Sequence, residues 1–340
     1  MKALLIGGTG TISLSISRQL LALGWELTVL NRGSAKDLLP GAEAIACDMA
    51  DEAAVRAALQ GRTFDVVAQF IAYTPDQVER DIRLFSGMCG QYIFISSASA
   101  YHKPPLSPLV TESVPLHNPW WAYSRAKADC EEVLMRAYRL QGFPVTIVRP
   151  SHTYYKNSVP VAIHGKNGSW QVIDRIRKGK PVLIPGDGTT LWTLTWAEDF
   201  APGFIGLMGN IHAIGEAVHI TSDQALTWNQ AHQVLADALG VKLNPCHVPS
   251  ALLGRIAGAD YAGSLLGDKA NCAVFDNTKL KRLVPGFHCP TRFDQGARMA
   301  LENILATPAL QREDPAFDAL SDKVADIMSR AGEEIGQLNL

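Results

Sequence analysis

The first thirteen residues, MKALLIGGTGTIS, constrain this chain more than any other stretch. An apolar run, Ala3–Ile6, passes directly into a glycine-rich turn, and the residues after it follow a helical pattern. Glycines at such a junction let the backbone turn tightly. They leave amide hydrogens, together with the positive end of the helix, free to hold a pyrophosphate. Strand, glycine turn and helix in a βαβ pattern predict a dinucleotide site built from Gly7, Thr9, Gly10, Thr11 and Ile12. The third glycine of the usual fingerprint, which packs helix against sheet, is replaced by Ser13, a side chain small enough to fit there.

The alternation continues through residue 150. Short apolar runs predict strands at Ala3–Ile6, Glu26–Leu30, Ala44–Cys47, Asp65–Ile71, Gln91–Ser96 and Val145–Arg149. Helical periodicity falls between them at about Leu14–Leu23, Asp51–Leu59, Pro75–Cys89 and Tyr123–Gln141. Nearly continuous apolar strands such as VVAQFIA and YIFISS belong to a sheet covered on both faces. Beyond Pro150, Leu191–Met208 reads as a strand running into a helix, and Ala217–Ile220 as a further strand. Thr227 reads as the N-cap of a helix that ends at Gly240, and closing helices are expected near Arg292–Leu305 and Ala316–Arg330. The predicted fold is α/β, a Rossmann-type doubly wound parallel sheet with a smaller, mainly C-terminal substrate-binding lobe. Residues 1–150 plus about 190–225 form the dinucleotide half, and about 151–189 plus 226–340 the substrate half.

With 47% hydrophobic residues among 340, the chain can bury a substantial core. A formal net charge of −2 gives no electrostatic reason to expect nucleic acid or an anionic membrane as a partner. No apolar run approaches the roughly 20 residues needed to cross a bilayer. The 6 cysteines are scattered, with no C-x-x-C and no metal-ligand spacing, so neither a disulfide framework nor a metal site is expected. A reduced, cytoplasmic protein acting on a small molecule is the expectation.

The second strand ends in LNRG. An acidic residue there would grip a ribose diol, whereas an arginine neutralises a 2′-phosphate. Asn31 and Arg32 favour NADP, with NAD as the alternative. Asp48, after the third strand, sits where an adenine edge would lie, or caps the helix beginning near Asp51.

YIFISSASAY is an apolar strand whose end turns to small hydroxyl residues. Ligands of open parallel sheets bind outside the carboxyl ends of strands, which places Ser96, Ser97 and Ser99 beside the dinucleotide. Tyr123 and Lys127 follow on a helix, one turn apart on one face. The pair alone arises easily by chance. Beside a dinucleotide, however, a phenol flanked by an ammonium can exchange a proton with a substrate hydroxyl or carbonyl as hydride moves, while a serine holds the same oxygen.

GGTGTIS at 7–13, ISSAS at 95–99, YSRAK at 123–127 and RPSHTY at 149–154 together resemble the extended short-chain dehydrogenase/reductase family of NAD-dependent epimerases, dehydratases and reductases. The likeness covers about residues 1–240. It implies Ser97 rather than Ser96 as the hydroxyl partner, Tyr123 as the general acid or base, and Lys127 on the nicotinamide ribose. Pro150 and Ser151 would flank the carboxamide, and Tyr73 would lie close to the nicotinamide as a candidate second acid or base. Family members often dimerise through helices matching Pro75–Cys89 and Tyr123–Gln141, so the resemblance also implies a homodimer.

On the substrate side the sequence departs from nucleotide-sugar members. Where the segment after GDG usually carries an Arg-Asp pair for the diphosphate, this chain has Trp192 and Thr193. Losing that cation removes a charge-assisted contact of about 1.5–3 kcal/mol, which argues against a nucleotide-diphosphate sugar unless Arg175 or Arg177 substitutes. Trp192 and Trp196 lie on one face of their strand, suited to stacking on a ring or to core packing. Ser99, His152, Tyr154, Tyr155 and Lys156 are further substrate candidates, and Trp120 and Trp121 candidates for the pocket entrance. The expected function is an NAD(P)-dependent oxidoreductase or epimerase acting on a sugar-like small molecule. A non-catalytic RNA- or nucleotide-binding relative of the family is the alternative.

Overall fold

The structure is a computed structural model that describes residues 1–33 and 39–338. Its frame is a parallel sheet of 7 strands: β1 (Lys2–Ile6), β2 (Glu26–Asn31), β3 (Glu43–Ala46), β4 (Phe64–Gln69), β5 (Cys89–Ile95), β6 (Val145–Pro150) and β7 (Ala217–Ile220). Their order is β3-β2-β1-β4-β5-β6-β7. The chain runs outward from β1 through β2 to β3, then returns to the other side of β1 for β4. The carboxyl ends of β1 and β4 thus flank the switch point where ligands of such sheets bind.

Ala3 through Ile6 are wholly buried, as a strand covered on both faces requires. One face is covered by α1 (Thr11–Ala22) and α6 (Ala197–Leu207), with Ile16, Leu20, Phe200 and Phe204 in a shared core. The other is covered by α2 (Glu52–Ala58), α3 (Pro75–Phe85) and α4 (Ala122–Gln141), through Val55, Ile82 and Leu134. The predicted helix at Pro75–Cys89 stops early. Gly87 adopts a φ of 73°, reversing the chain so that Cys89 already begins β5.

A third core lies beyond the end of β6. Leu191–Trp196 pairs in parallel with His152–Tyr154 and antiparallel with Ala225–Thr227. Against this small sheet pack the helices Trp170–Arg177 (α5), Trp228–Leu239 (α7) and Phe293–Ala306, and Pro315–Gly336 follows as the closing helix. Thr227 caps α7 as expected: its hydroxyl accepts from the Gln230 amide at 3.1 Å, and the Gln230 side chain accepts from the Thr227 amide at 2.9 Å. Gly240, with φ of 70°, ends that helix. Among the described residues no helix is long and apolar enough to cross a membrane.

Candidate active site

The glycine turn is pressed between strand and helix. Gly7 has φ of 81°, its amide donates to the Leu30 carbonyl at 3.0 Å, and a Cβ there would lie 2.5 Å from Ile71. At Gly8 a Cβ would meet Val29 at 2.9 Å. Ser13 does more than fit. Its hydroxyl donates to the Gly7 carbonyl at 2.7 Å and accepts from the Gly10 amide at 2.8 Å, while Ser17 donates to the Gly8 carbonyl at 2.8 Å. The turn that holds Thr9 is thereby locked from beneath. Above it, the first-turn amides of Thr11 and Ile12 have no acceptor within the helix, and no acidic side chain occupies that turn.

Asn31 ends β2 with its side-chain carbonyl accepting from the Gly33 amide at 3.0 Å. Its amide nitrogen is buried and has no partner among the described residues. An orphaned donor at the carboxyl end of β2, beside a turn closed to any Cβ, fits an adenosine ribose. Arg32 follows, exposed to solvent. Asp48 is exposed and accepts from the Ala50 amide, whereas Asp51 caps α2 through the Ala54 amide. Asp48 is therefore not the helix cap.

One cleft of about 470 Å³ connects the start of α1 to the third core. Ser97, Tyr123 and Lys127 share its wall with Thr11, Ile12, Tyr73, Pro150 and Ser151. Ser96 also reaches the cleft, but its hydroxyl donates to Glu131, which is paired with Arg149 beneath the site. Ser97 lines the cleft without any such carboxylate partner among the described residues. Ser99 lines the same cleft beside it: Ser124 donates to the Ser99 hydroxyl at 2.7 Å, and the Ser99 and Ser97 hydroxyls lie 2.8 Å apart. Ser97 also accepts from the Ser99 amide at 3.2 Å. Either hydroxyl of the Ser97–Ser99 pair can be the donor, and when Ser99 donates, the Ser97 proton is free to turn to the cleft.

Lys127 is almost wholly buried and donates to the carbonyls of Ala72 and Ile95, each at 2.7 Å. Burial pushes its ammonium down to about 8, although the nearby Cys130 and Glu131 favour the charge. The phenol of Tyr123 is not lowered by the ammonium on its helix but raised. Burial raises it, Ser97 partly offsets this, and Tyr73 and Asp268 add to the rise. Burial is the largest cause, and Lys127 gives its hydrogen bonds to backbone carbonyls. In this geometry the phenol keeps its proton.

On the substrate side His152 and Trp192 line the cleft, their rings edge to face. Burial, with Lys269 and His164 nearby, holds His152 neutral, down to about 3. Pro150 and Ser151 line the cleft, the Ser151 hydroxyl donating to the Thr193 carbonyl at 3.1 Å. Tyr154 is a correction. Two residues beyond His152, about 7 Å along the strand, it is carried into the core between Trp196 and Phe293, away from the cleft wall. Trp196 is likewise core, and Tyr155 packs on it while donating to Glu198. Lys156 lies over the Tyr155 ring. Nor does either arginine replace the missing diphosphate cation. Arg175 is buried and engaged with the Pro181 carbonyl, Asp318 and Asp322, and Arg177 lies over Trp170.

Sequence reasoning missed Lys103, Asp268 and Lys269, which complete the far wall, and left Trp121 only as an entrance candidate. Trp121 packs against Tyr123 with ring centroids 5.0 Å apart, while its neighbour Trp120 is exposed. No local signal marks the three charged residues, because packing between distant segments brings them together.

A family model described as "NAD dependent epimerase/dehydratase family" matches residues 3–220. The chain is 25% identical over 295 residues to 2'-dehydrokanamycin reductase of Streptomyces kanamyceticus, covering 84% of this chain and 80% of that protein. It is 28% identical over 254 residues to the chloroplast stem-loop binding protein of 41 kDa b of Arabidopsis thaliana, covering 70% of this chain and 63% of that one. Among solved structures, the dTDP-glucose 4,6-dehydratase of Bacillus anthracis in complex with NAD superposes with a TM-score of 0.73 at 16% identity. That match covers 91% of this chain and 98% of the other.

Proposed function

The chain belongs to the NAD dependent epimerase/dehydratase family, and on that basis we propose that it is an NADP-linked oxidoreductase that reduces a carbonyl of a small sugar-like molecule, with Tyr123 as the proton donor. The observation that carries this reading is the shared cleft, whose wall includes the start of α1 together with Ser97, Tyr123 and Lys127. When bound, a reduced nicotinamide dinucleotide supplies the hydride that the carbonyl carbon takes up. The phenol of Tyr123, held protonated by burial, gives its proton to the carbonyl oxygen. Ser97 donates a hydrogen bond to the same oxygen and stabilises the charge developing on it. Hydride and the phenol proton together complete the alcohol, and solvent then returns a proton to Tyr123 to restore the enzyme. Lys127 keeps one N–H beyond the two given to Ala72 and Ile95, and that donor is assigned to the ribose hydroxyls.

NADP is favoured over NAD because the position after β2 holds Asn31 and Arg32 with no carboxylate to repel a 2′-phosphate. A nucleotide-diphosphate sugar is disfavoured by Trp192 and by the engagement of Arg175 elsewhere. The likeness to 2'-dehydrokanamycin reductase agrees with reduction as the direction. An epimerase would use the same three side chains in both directions while keeping its nucleotide.

The stem-loop-binding relative raises a second reading, binding of RNA without catalysis. A net charge of −2 and the presence of Ser97, Tyr123 and Lys127 in one cleft count against it. The test is a panel of carbonyl and alcohol substrates followed by the absorbance of reduced nicotinamide, together with mass analysis of the purified protein for retained nucleotide. Turnover without retained nucleotide is expected. Tight RNA binding with no turnover across the panel would refute the proposal.

A further inference from the structure

The wall of the cleft facing away from the glycine turn carries three charged side chains that the reaction above does not use. Lys103 comes from the segment after β5, and Asp268 and Lys269 from the end of the helical segment Ala262–Lys269. Lys103 is only 4% exposed. Its ammonium lies 3.9 Å from the Asp268 carboxylate, an ion pair too long to be a hydrogen bond. Among the described residues neither lysine ammonium donates a hydrogen bond, and the Asp268 carboxylate accepts none. His152 beside them is neutral. Two ammonium groups and one carboxylate leave this wall with one net positive charge, with Lys103 buried and Asp268 and Lys269 half-buried. A buried charge such as Lys103 is stable only when paired. Burial accordingly lowers both lysines and raises Asp268.

We propose that the substrate carries one oxyanionic group, a carboxylate or a phosphoryl, which Lys103 and Lys269 clamp while Asp268 accepts hydrogen bonds from neighbouring substrate hydroxyls. The inference rests on the oxidoreductase reading and names its substrate class: a small, polyhydroxylated carbonyl compound with a single anionic group. Size agrees with it. The cleft of about 470 Å³ suits one sugar-sized ring, and its wall is extended by a second cavity of about 430 Å³ that shares Trp121 and Lys269. The anionic group would sit near the Lys269 junction, with the reacting carbonyl directed to Tyr123. A cationic aminosugar would meet the two ammonium groups without enough carboxylate to balance it.

Calorimetric titration of the whole protein with NADP⁺ present tests this, using D-glucuronate, D-glucose 6-phosphate, D-glucose and D-glucosamine as probes. At least one anionic probe is expected to bind about tenfold or more tightly than glucose, and which of the two does so identifies the oxyanion. Lys103→Met and Lys269→Met should each lose that preference while glucose binding is unchanged, and Asp268→Asn should keep it. Lys103→Arg, which retains the charge, keeps the test meaningful if Lys103→Met does not fold. Equal or tighter binding of glucose or glucosamine, no preference among the four probes, or a preference that survives both methionine variants would overturn the proposal. Its failure is separable from that of the oxidoreductase reading. Turnover of a neutral carbonyl compound that depends on Tyr123 would remove the anion clamp alone, and anion-selective binding without Tyr123-dependent turnover would remove the redox role alone.

Discussion

Lys127 holds its ammonium 4.6 Å from the centre of the Tyr73 ring, so the exposed aromatic covers the buried charge on the cleft side. With the ammonium pushed down to about 8, the charge is present below that pH and is lost above it. Activity should therefore fall as pH rises through about 8. The pH profile of kcat/KM checks this, and Lys127→Arg should carry the alkaline limb upward by more than about one unit, since a guanidinium stays charged. Unfolding would not mimic the effect. The folded pKa lies below the ordinary lysine value, so between about 8 and 10.5 the unfolded chain binds the extra proton and this residue's contribution to stability rises with pH. An alkaline limb unchanged in the arginine variant would show that another group sets it.

Ser13 spans the glycine turn with two hydrogen bonds, at 2.7 Å and 2.8 Å. Ser13→Ala removes both at a buried site. At about 0.5–1.5 kcal/mol each, unfolding free energy should drop by about 1–3 kcal/mol, and NADPH affinity should weaken with it. Urea denaturation and a fluorescence titration with NADPH measure the two effects. An unchanged denaturation midpoint would mean that size alone matters at this position.

Arg32→Ala should weaken NADPH binding by about tenfold to a hundredfold, corresponding to one charge-assisted contact of about 1.5–3 kcal/mol, and leave NADH nearly untouched. Comparing the two dissociation constants decides the assignment. Equal losses for both nucleotides would remove Arg32 from 2′-phosphate recognition.

The hydroxyls of Ser124, Ser99 and Ser97 form a hydrogen-bonded chain on the cleft wall, and Ser99 is expected to act through Ser97. Ser99→Ala should lower kcat by about tenfold with little change in KM, whereas Ser97→Ala should lower it by about a hundredfold or more. The separation of kcat from KM distinguishes this role from substrate contact, which would raise KM. A Ser99→Ala enzyme with raised KM and unchanged kcat would restore the direct contact expected from the sequence.

What the sequence disclosed was what neighbouring residues decide. The turn at Gly7–Gly10, the cap at Thr227 and the stop at Gly240 depend on backbone conformations and side chains within a few positions, so the fold and the glycine-turn end of the cleft were legible. The one helix that overran did so because Gly87, inside an otherwise helical pattern, gave no sign that it would turn left-handed. The substrate end was harder. Tyr154 follows His152 on one strand, and only the approach of the helix Phe293–Ala306 turns it into core. Lys103 and Asp268 meet across a long stretch of sequence, and no local pattern reports such a meeting. The direction of the Lys127 donors is set by the Ala72 and Ile95 carbonyls, and the raised phenol of Tyr123 by its burial, both products of packing between distant segments.

The most direct measurement compares NADPH consumption by the unaltered protein and Tyr123→Phe on the same carbonyl substrate, with NADPH binding measured alongside. Loss of the phenol proton should lower kcat by about 10²–10⁴-fold while the dissociation constant for NADPH stays within about twofold. A Tyr123→Phe enzyme that turns over at nearly the unaltered rate would contradict the account, because hydride transfer would then be proceeding without this proton donor.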